Sequence, residues 1–202
     1  MSGSSAPRSA LRAAALGAFV LVSAGCSGTP AERPGQSASA PASLTSTERL
    51  ADDLAEASLA YDNGDLSELT VRLRAIELAG AQPSDEPGQA ALVAWRGVVP
   101  PGDIPLRGRV LGPAYLTGTL AAGAEIDTEQ LLMGGQSVSI AAGTAPRKGL
   151  RLRVLRGDGK MVCEQTPAHA RECRFVPSYT QRYRIVLQNT GTGEARYHIV
   201  FD

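Results

Sequence analysis

The chain has 202 residues, 43% of them hydrophobic and only 4% aromatic, with 20 basic and 20 acidic residues and no net charge. That is enough apolar material for one or two domains, with a core built mainly from Leu, Val, Ile and Ala. The missing positive field excludes the electrostatic footprint of a nucleic-acid-binding protein, so no nucleic-acid partner is expected.

Arg8 and Arg12 precede an uninterrupted apolar run, Ala13 to Val22, and then the small residues Ser23, Ala24 and Gly25 before Cys26. Ten residues rising 1.5 Å each span about 15 Å, half of a bilayer's hydrocarbon core. The run is too short to cross a membrane and has the length of a signal-peptide apolar region. Residues 1–25 are therefore expected to be a leader, and their removal leaves 18 basic against 20 acidic residues.

Ala24-Gly25-Cys26 resembles the lipobox of bacterial lipoproteins, with Ser23 where that family usually has leucine. The resemblance implies cleavage before Cys26 and acylation of its sulfur and its new amino group. The membrane is then a partner through the lipid anchor, and the address is the cell envelope. Ser27 stands where an aspartate would retain an enteric lipoprotein at the inner membrane, which implies the outer membrane in a Gram-negative cell. Cysteine counting agrees. Cys26 is the odd one of three, while Cys163 and Cys173 are expected to form a disulfide in an oxidising compartment or else to remain two buried thiols.

Residues 26–44 hold the Cys and a Ser-, Ala-, Pro- and Gly-rich stretch that cannot bury enough apolar surface to offset ordering. It reads as a disordered linker with a reach of about 25 Å. Residues 45–82 read as a helical hairpin. Thr45 with Glu48 and Asp65 with Glu68 have capping spacing. Leu50, Leu54, Ala57 and Tyr61 form one stripe and Leu66, Leu69, Leu73 and Ile76 another, separated by Asp62-Asn63-Gly64. A single tetratricopeptide-like unit has this shape, but a lone repeat cannot bury its own face. The hairpin is expected to pack on the domain C-terminal to it. Residues 83–112, rich in Pro and Gly, read as an irregular connector in which Trp95 anchors a core.

From residue 113 to 202 apolar and polar residues alternate between glycine turns. Leu150, Leu152 and Val154 alternate with Arg151 and Arg153; Tyr183, Ile185 and Leu187 alternate with Arg182 and Arg184; Tyr197, Ile199 and Phe201 alternate with His198. Gly157-Asp158-Gly159 marks a tight hairpin. The fold class is mainly β, an antiparallel β-sandwich with one buried and one wet face.

The succession Gly134-Gly135-Gln136-Ser137-Val138, Leu150 to Val154, Tyr183 to Leu187 and Tyr197 to Val200 resembles the bacterial pre-peptidase C-terminal domain over residues 113–201. The resemblance implies a jelly-roll-like β-sandwich that serves as an accessory module of a secreted protein; some relatives bind polymers and some use calcium. Gly149-Leu150-Arg151 stands where the family often places acids around the leucine, so its calcium site is not carried over.

Candidate chemistry is sparse. His169 and His198 are the two histidines. His198 is expected on the wet face, and His169 falls within the Cys163–Cys173 loop. Neither has a recognisable nucleophile or orienting carboxylate by spacing, so no catalytic residue is named. One histidine beside two cysteines makes no zinc site, and no metal or cofactor is expected. Glu125, Asp127 and Glu129 share one strand face, a conceivable hard-cation site but more simply a solvated edge. Arg156-Gly157-Asp158 matches an adhesion tripeptide, yet a hairpin turn explains it. Arg151, Arg153, Arg182 and Arg184 would form a basic stripe if their strands are neighbours, and they are the candidate contacts for a glycan or an acidic partner. The expected function is a non-catalytic, membrane-anchored envelope lipoprotein whose sandwich interacts or scaffolds. The alternative is a cell-surface glycan- or polymer-binding module, and less expected is a hydrolase.

Overall fold

The computed structural model describes residues 43–100, 112–147 and 149–202. The leader, Cys26 and most of the linker lie outside the described residues, as do Lys148 and residues 101–111 of the connector.

Two helices open the described chain, α1 (Ser46–Asn63) and α2 (Leu66–Leu78). Thr45 and Glu48 cap α1 reciprocally: the Glu48 amide donates to the Thr45 hydroxyl, and the Thr45 amide donates to the Glu48 carboxylate at 2.9 Å. Gly64 ends α1 at φ 70, a left-handed conformation that glycine adopts without steric cost. Asp65 then caps α2 by accepting the Glu68 amide. The expected stripes are buried except at their ends, where Tyr61 and Leu66 are exposed.

The connector is not irregular throughout. A short strand β1 (Gln82–Pro83) leads into a third helix, α3 (Glu86–Val98). Asp85 caps it by accepting the Gly88 amide at 3.0 Å, and Pro87 sits in the first turn, where no intrahelical donor is needed. Leu92 and Trp95 are the buried face of this helix.

Eight further strands follow among the described residues: β2 (Ala114–Leu120), β3 (Glu125–Leu132), β4 (Val138–Ala145), β5 (Leu150–Arg156), β6 (Met161–Gln165), β7 (Arg171–Phe175), β8 (Gln181–Asn189) and β9 (Ala195–Phe201). They form one sheet in the order β1-β2-β9-β4-β7 and another in the order β3-β8-β5-β6. Leaving β1 aside, the 2-9-4-7 and 3-8-5-6 orders are those of a jelly roll, two interlocked Greek keys in a sandwich. β7 is a strand that the alternation did not reveal, because Cys173 is its one fully buried side chain.

Two cores result. Between the sheets lie Ile140, Leu152, Val154, Ile185, Leu187 and Ile199. On the opposite face of the five-stranded sheet, Tyr115, Ala141 and Val200 join Leu50, Leu54, Leu69, Leu73 and Trp95 from the helices. The described residues thus form three layers, helices on sheet on sheet, with α1 seated on β4 and β9 and α3 on β2. Gly143 permits the closest approach: a Cβ there would overlap the Ala51 carbonyl oxygen of α1. Cys163 of β6 is disulfide-bonded to Cys173 of β7, joining one edge of each sheet.

Candidate functional site

His198 corrects the expectation of a wet position. It lies on the face of β9 opposite the sandwich core, as alternation requires, but the helices cover that face and only 1% of the residue is exposed. Its Nδ1 lies 2.9 Å from the Thr117 hydroxyl of β2, and its Nε2 lies 2.8 Å from the Ser58 hydroxyl of α1. Ser58 also donates to the Leu54 carbonyl at 3.2 Å. One proton assignment satisfies every donor: Thr117 donates to Nδ1, Nε2–H donates to Ser58, and Ser58 donates to Leu54. Burial, reinforced by the nearby Arg196 charge, pushes the imidazole down to about 3, so it stays neutral.

A cleft of about 450 Å³ opens beside this seam between α1, α3 and β2. Tyr61, Pro87, Ala91 and Trp95 supply apolar lining, Ser58 and Thr117 contribute hydroxyls, and the Asp62–Arg196 ion pair of 2.7 Å borders it. The chemistry available there is limited. In this assignment the nitrogen facing Ser58 carries the proton, and the ring's other partner is a hydroxyl instead of an orienting carboxylate.

His169 has the complementary deficit. Its Nδ1 accepts the Thr144 amide at 3.1 Å, which leaves Nε2–H to donate to Asp52 of α1 at 3.0 Å. Asp52 also lies 3.6 Å from Arg147 and 3.8 Å from Arg72, and Arg72 bonds Asp53 and Glu68. This network holds α1 to α2 and to the loops at the end of the sandwich. A carboxylate orients His169, but both ring nitrogens are occupied and neither faces a hydroxyl nucleophile among the described residues. Each histidine therefore has part of a hydrolytic constellation, and the two parts are separate.

The four arginines do fall on neighbouring strands. Arg151 and Arg153 of β5 and Arg182 and Arg184 of β8 share the outer face of the four-stranded sheet. They are not a free basic stripe. Arg153 pairs with Glu125 at 2.6 Å, Arg151 with Glu164 at 3.6 Å and Arg182 with Glu129 at 3.8 Å. Among the described residues Arg184 has no ion pair. Glu125, Asp127 and Glu129 project together from β3, and no group of three or more metal-ligating side chains occurs among the described residues. Arg156 and Asp158 bond each other across the β5–β6 turn, which folds the adhesion-like tripeptide on itself.

Sequence reasoning missed Ser58, Thr117 and Asp52. Ser58 carried a readable signal, since it sits four residues after Leu54 on the apolar stripe, where a polar side chain needs a buried partner. Thr117 and Asp52 meet the histidines only through the tertiary fold.

No protein-family model matches the chain, and no curated protein matches it. Solved structures are similar over under half of its length. A periplasmic inhibitor of g-type lysozyme from Aeromonas hydrophila is 11% identical over 45% of this chain and 84% of that one, with a TM-score of 0.38. The Yersinia pseudotuberculosis-derived mitogen is 14% identical over the same shares, also with a TM-score of 0.38. The pre-peptidase C-terminal domain of a Bacillus anthracis collagenase is 11% identical over 45% of this chain and 76% of that one, with a TM-score of 0.30.

Proposed function

We propose that this chain is a non-catalytic envelope lipoprotein, anchored through acylated Cys26, whose layered sandwich is an interaction or scaffolding module. The observation that carries the non-catalytic part is the commitment of both histidines to structural bonds, one from each to α1, with both ring nitrogens of each partnered. The helices support the scaffolding role: they share a core with the five-stranded sheet and leave the other sheet's outer face to solvent. The anchor rests on the lipobox-like residues, and the disulfide fits an oxidising compartment.

Polymer binding is the competing reading, and the paired arginines argue against it, because a glycan anion would have to displace carboxylates already in place. Retention of the full-length protein on immobilised cell-wall polysaccharide separates the two. An interaction module passes through unretained. A polymer-binding module is retained, and Arg151→Ala with Arg184→Ala releases it.

A further inference from the structure

We infer that the end of the sandwich made by the β3–β4, β5–β6 and β7–β8 connections dips into the interface of the membrane that holds Cys26. The anchored domain then has a second lipid contact and a fixed orientation. The inference rests on the anchored reading above and adds the surface that meets the lipid.

Strand register brings the three connections together. Leu132 pairs with Gln181 and Arg156 with Tyr183, so β3 and β5 end where β8 begins. The β3–β4 and β7–β8 loops are bonded to each other. The Gly134 amide donates to the Thr180 hydroxyl at 3.0 Å, and the Gly135 amide donates to the Pro177 carbonyl at 2.8 Å. They also touch backbone to backbone: a Cβ on Gly134 would lie 2.7 Å from the Tyr179 Cα.

Apolar side chains are turned outward here. Leu131, Met133, Met161, Val176 and Tyr179 are 60%, 51%, 53%, 59% and 67% exposed, and exposed Val162 adjoins Met161. Of the large hydrophobic side chains that the described sandwich leaves exposed, Ile126 alone stands away from this end. Such one-sided exposure marks an interaction surface.

Three features select a membrane as the occupant. The two bonded loops, Met133 to Ser137 and Val176 to Thr180, contain no acidic or basic residue, so no charge leaves water when they enter the interface. Tyr179 has the amphipathic ring that suits headgroup depth, and apolar side chains on loop ends enter a fluid surface without a matching cavity. In the β5–β6 turn Asp158 is paired with Arg156, which leaves exposed Lys160, with no ion pair among the described residues, to face anionic headgroups. The tether supplies the third feature. Eighteen residues separate Cys26 from Thr45, a reach of about 25 Å. The Thr45 hydroxyl donates to Glu172 of β7, and four residues of strand, about 13 Å, lead from there to Val176. The anchor is therefore long enough for this end to rest on the surface that holds it.

The test reconstitutes the protein made in its own cells into vesicles of phosphatidylethanolamine and phosphatidylglycerol. Ser178→Cys, in the β7–β8 loop, and Thr192→Cys, at the opposite end, each add one thiol for a bimane label; both positions are exposed. Bimane at 178 should shift to the blue and be quenched by brominated lipid, whereas bimane at 192 should do neither. Val176→Asp with Tyr179→Asp, both at exposed positions, should abolish the quenching at 178 while the protein still floats with the vesicles. Equal quenching at the two positions, none at either, or undiminished quenching in the folded aspartate variant overturns the inference. A blue shift at 178 without lipid quenching also overturns it, since a partner protein or a second copy would then cover this end. If the aspartate variant does not fold, the comparison of 178 with 192 decides. Flotation with an unquenched label at 178 overturns this inference alone, and failure of the unsubstituted protein to float overturns the anchored reading with it.

Discussion

The Nε2 of His198 and the hydroxyl of Ser58 stand 2.8 Å apart across the seam between sheet and helices. Through this bond a strand of the sandwich and the first helix share one buried polar chain, Thr117 to His198 to Ser58 to Leu54. Such a chain is satisfied only when the helical layer is docked, so it contributes to specifying how the layers meet.

It also makes stability depend on acidity. The folded imidazole is held down to about 3, while an unfolded histidine titrates near 6.5. Above that higher value both states are neutral and the contribution is complete. As pH falls through it, the unfolded chain binds a proton that the folded protein refuses, so stability declines until the folded value is reached. Urea unfolding should show the wild type losing about 2 kcal/mol between pH 7 and 5 from this group, a decline missing from His198→Gln. Parallel pH profiles for the two proteins would contradict the assignment.

Ser58→Ala should leave the Nε2 proton without an acceptor in a dry seam. The expected loss is about 1–3 kcal/mol, read as a lower unfolding midpoint with an unchanged far-ultraviolet circular dichroism spectrum.

At Gly143 the expected effect is larger. Alanine would drive its methyl into the Ala51 carbonyl, and backbone on both sides must move. Gly143→Ala should cost about 3 kcal/mol and should raise amide exchange in α1 ahead of the inner strands.

Reducing the Cys163–Cys173 disulfide should cost about 3 kcal/mol in the chain-entropy treatment, for cysteines ten positions apart. Thermal unfolding with and without reductant measures it, and the paired Cys163→Ser and Cys173→Ser variant should reproduce the reduced midpoint.

Much of the architecture was legible. Alternation at Leu150–Val154, Tyr183–Leu187 and Tyr197–Phe201 identified the inward residues of β5, β8 and β9, and capping pairs at Thr45 and Asp65 located two helices. What escaped had physical reasons. Pro87 and Gly88 look like breakers but are tolerated in a first turn capped by Asp85, so α3 was hidden. Period-two patterning tells which way His198 points and not what covers it, and the covering helices lie more than a hundred residues away. The arginines were placed on the correct face, but Glu164 reaches Arg151 from the neighbouring β6 and Glu125 reaches Arg153 from β3, across β8, which single-strand patterning does not report. Ser58 alone could have been suspected, as a hydroxyl on an apolar stripe.

The central claim is that a lipid holds this sandwich at a membrane, and intact mass spectrometry of the protein from its native cells tests it most directly. The account predicts a chain beginning at Cys26 and carrying two or three acyl groups. A mass corresponding to Met1 retained, with an unmodified thiol at Cys26, would contradict it.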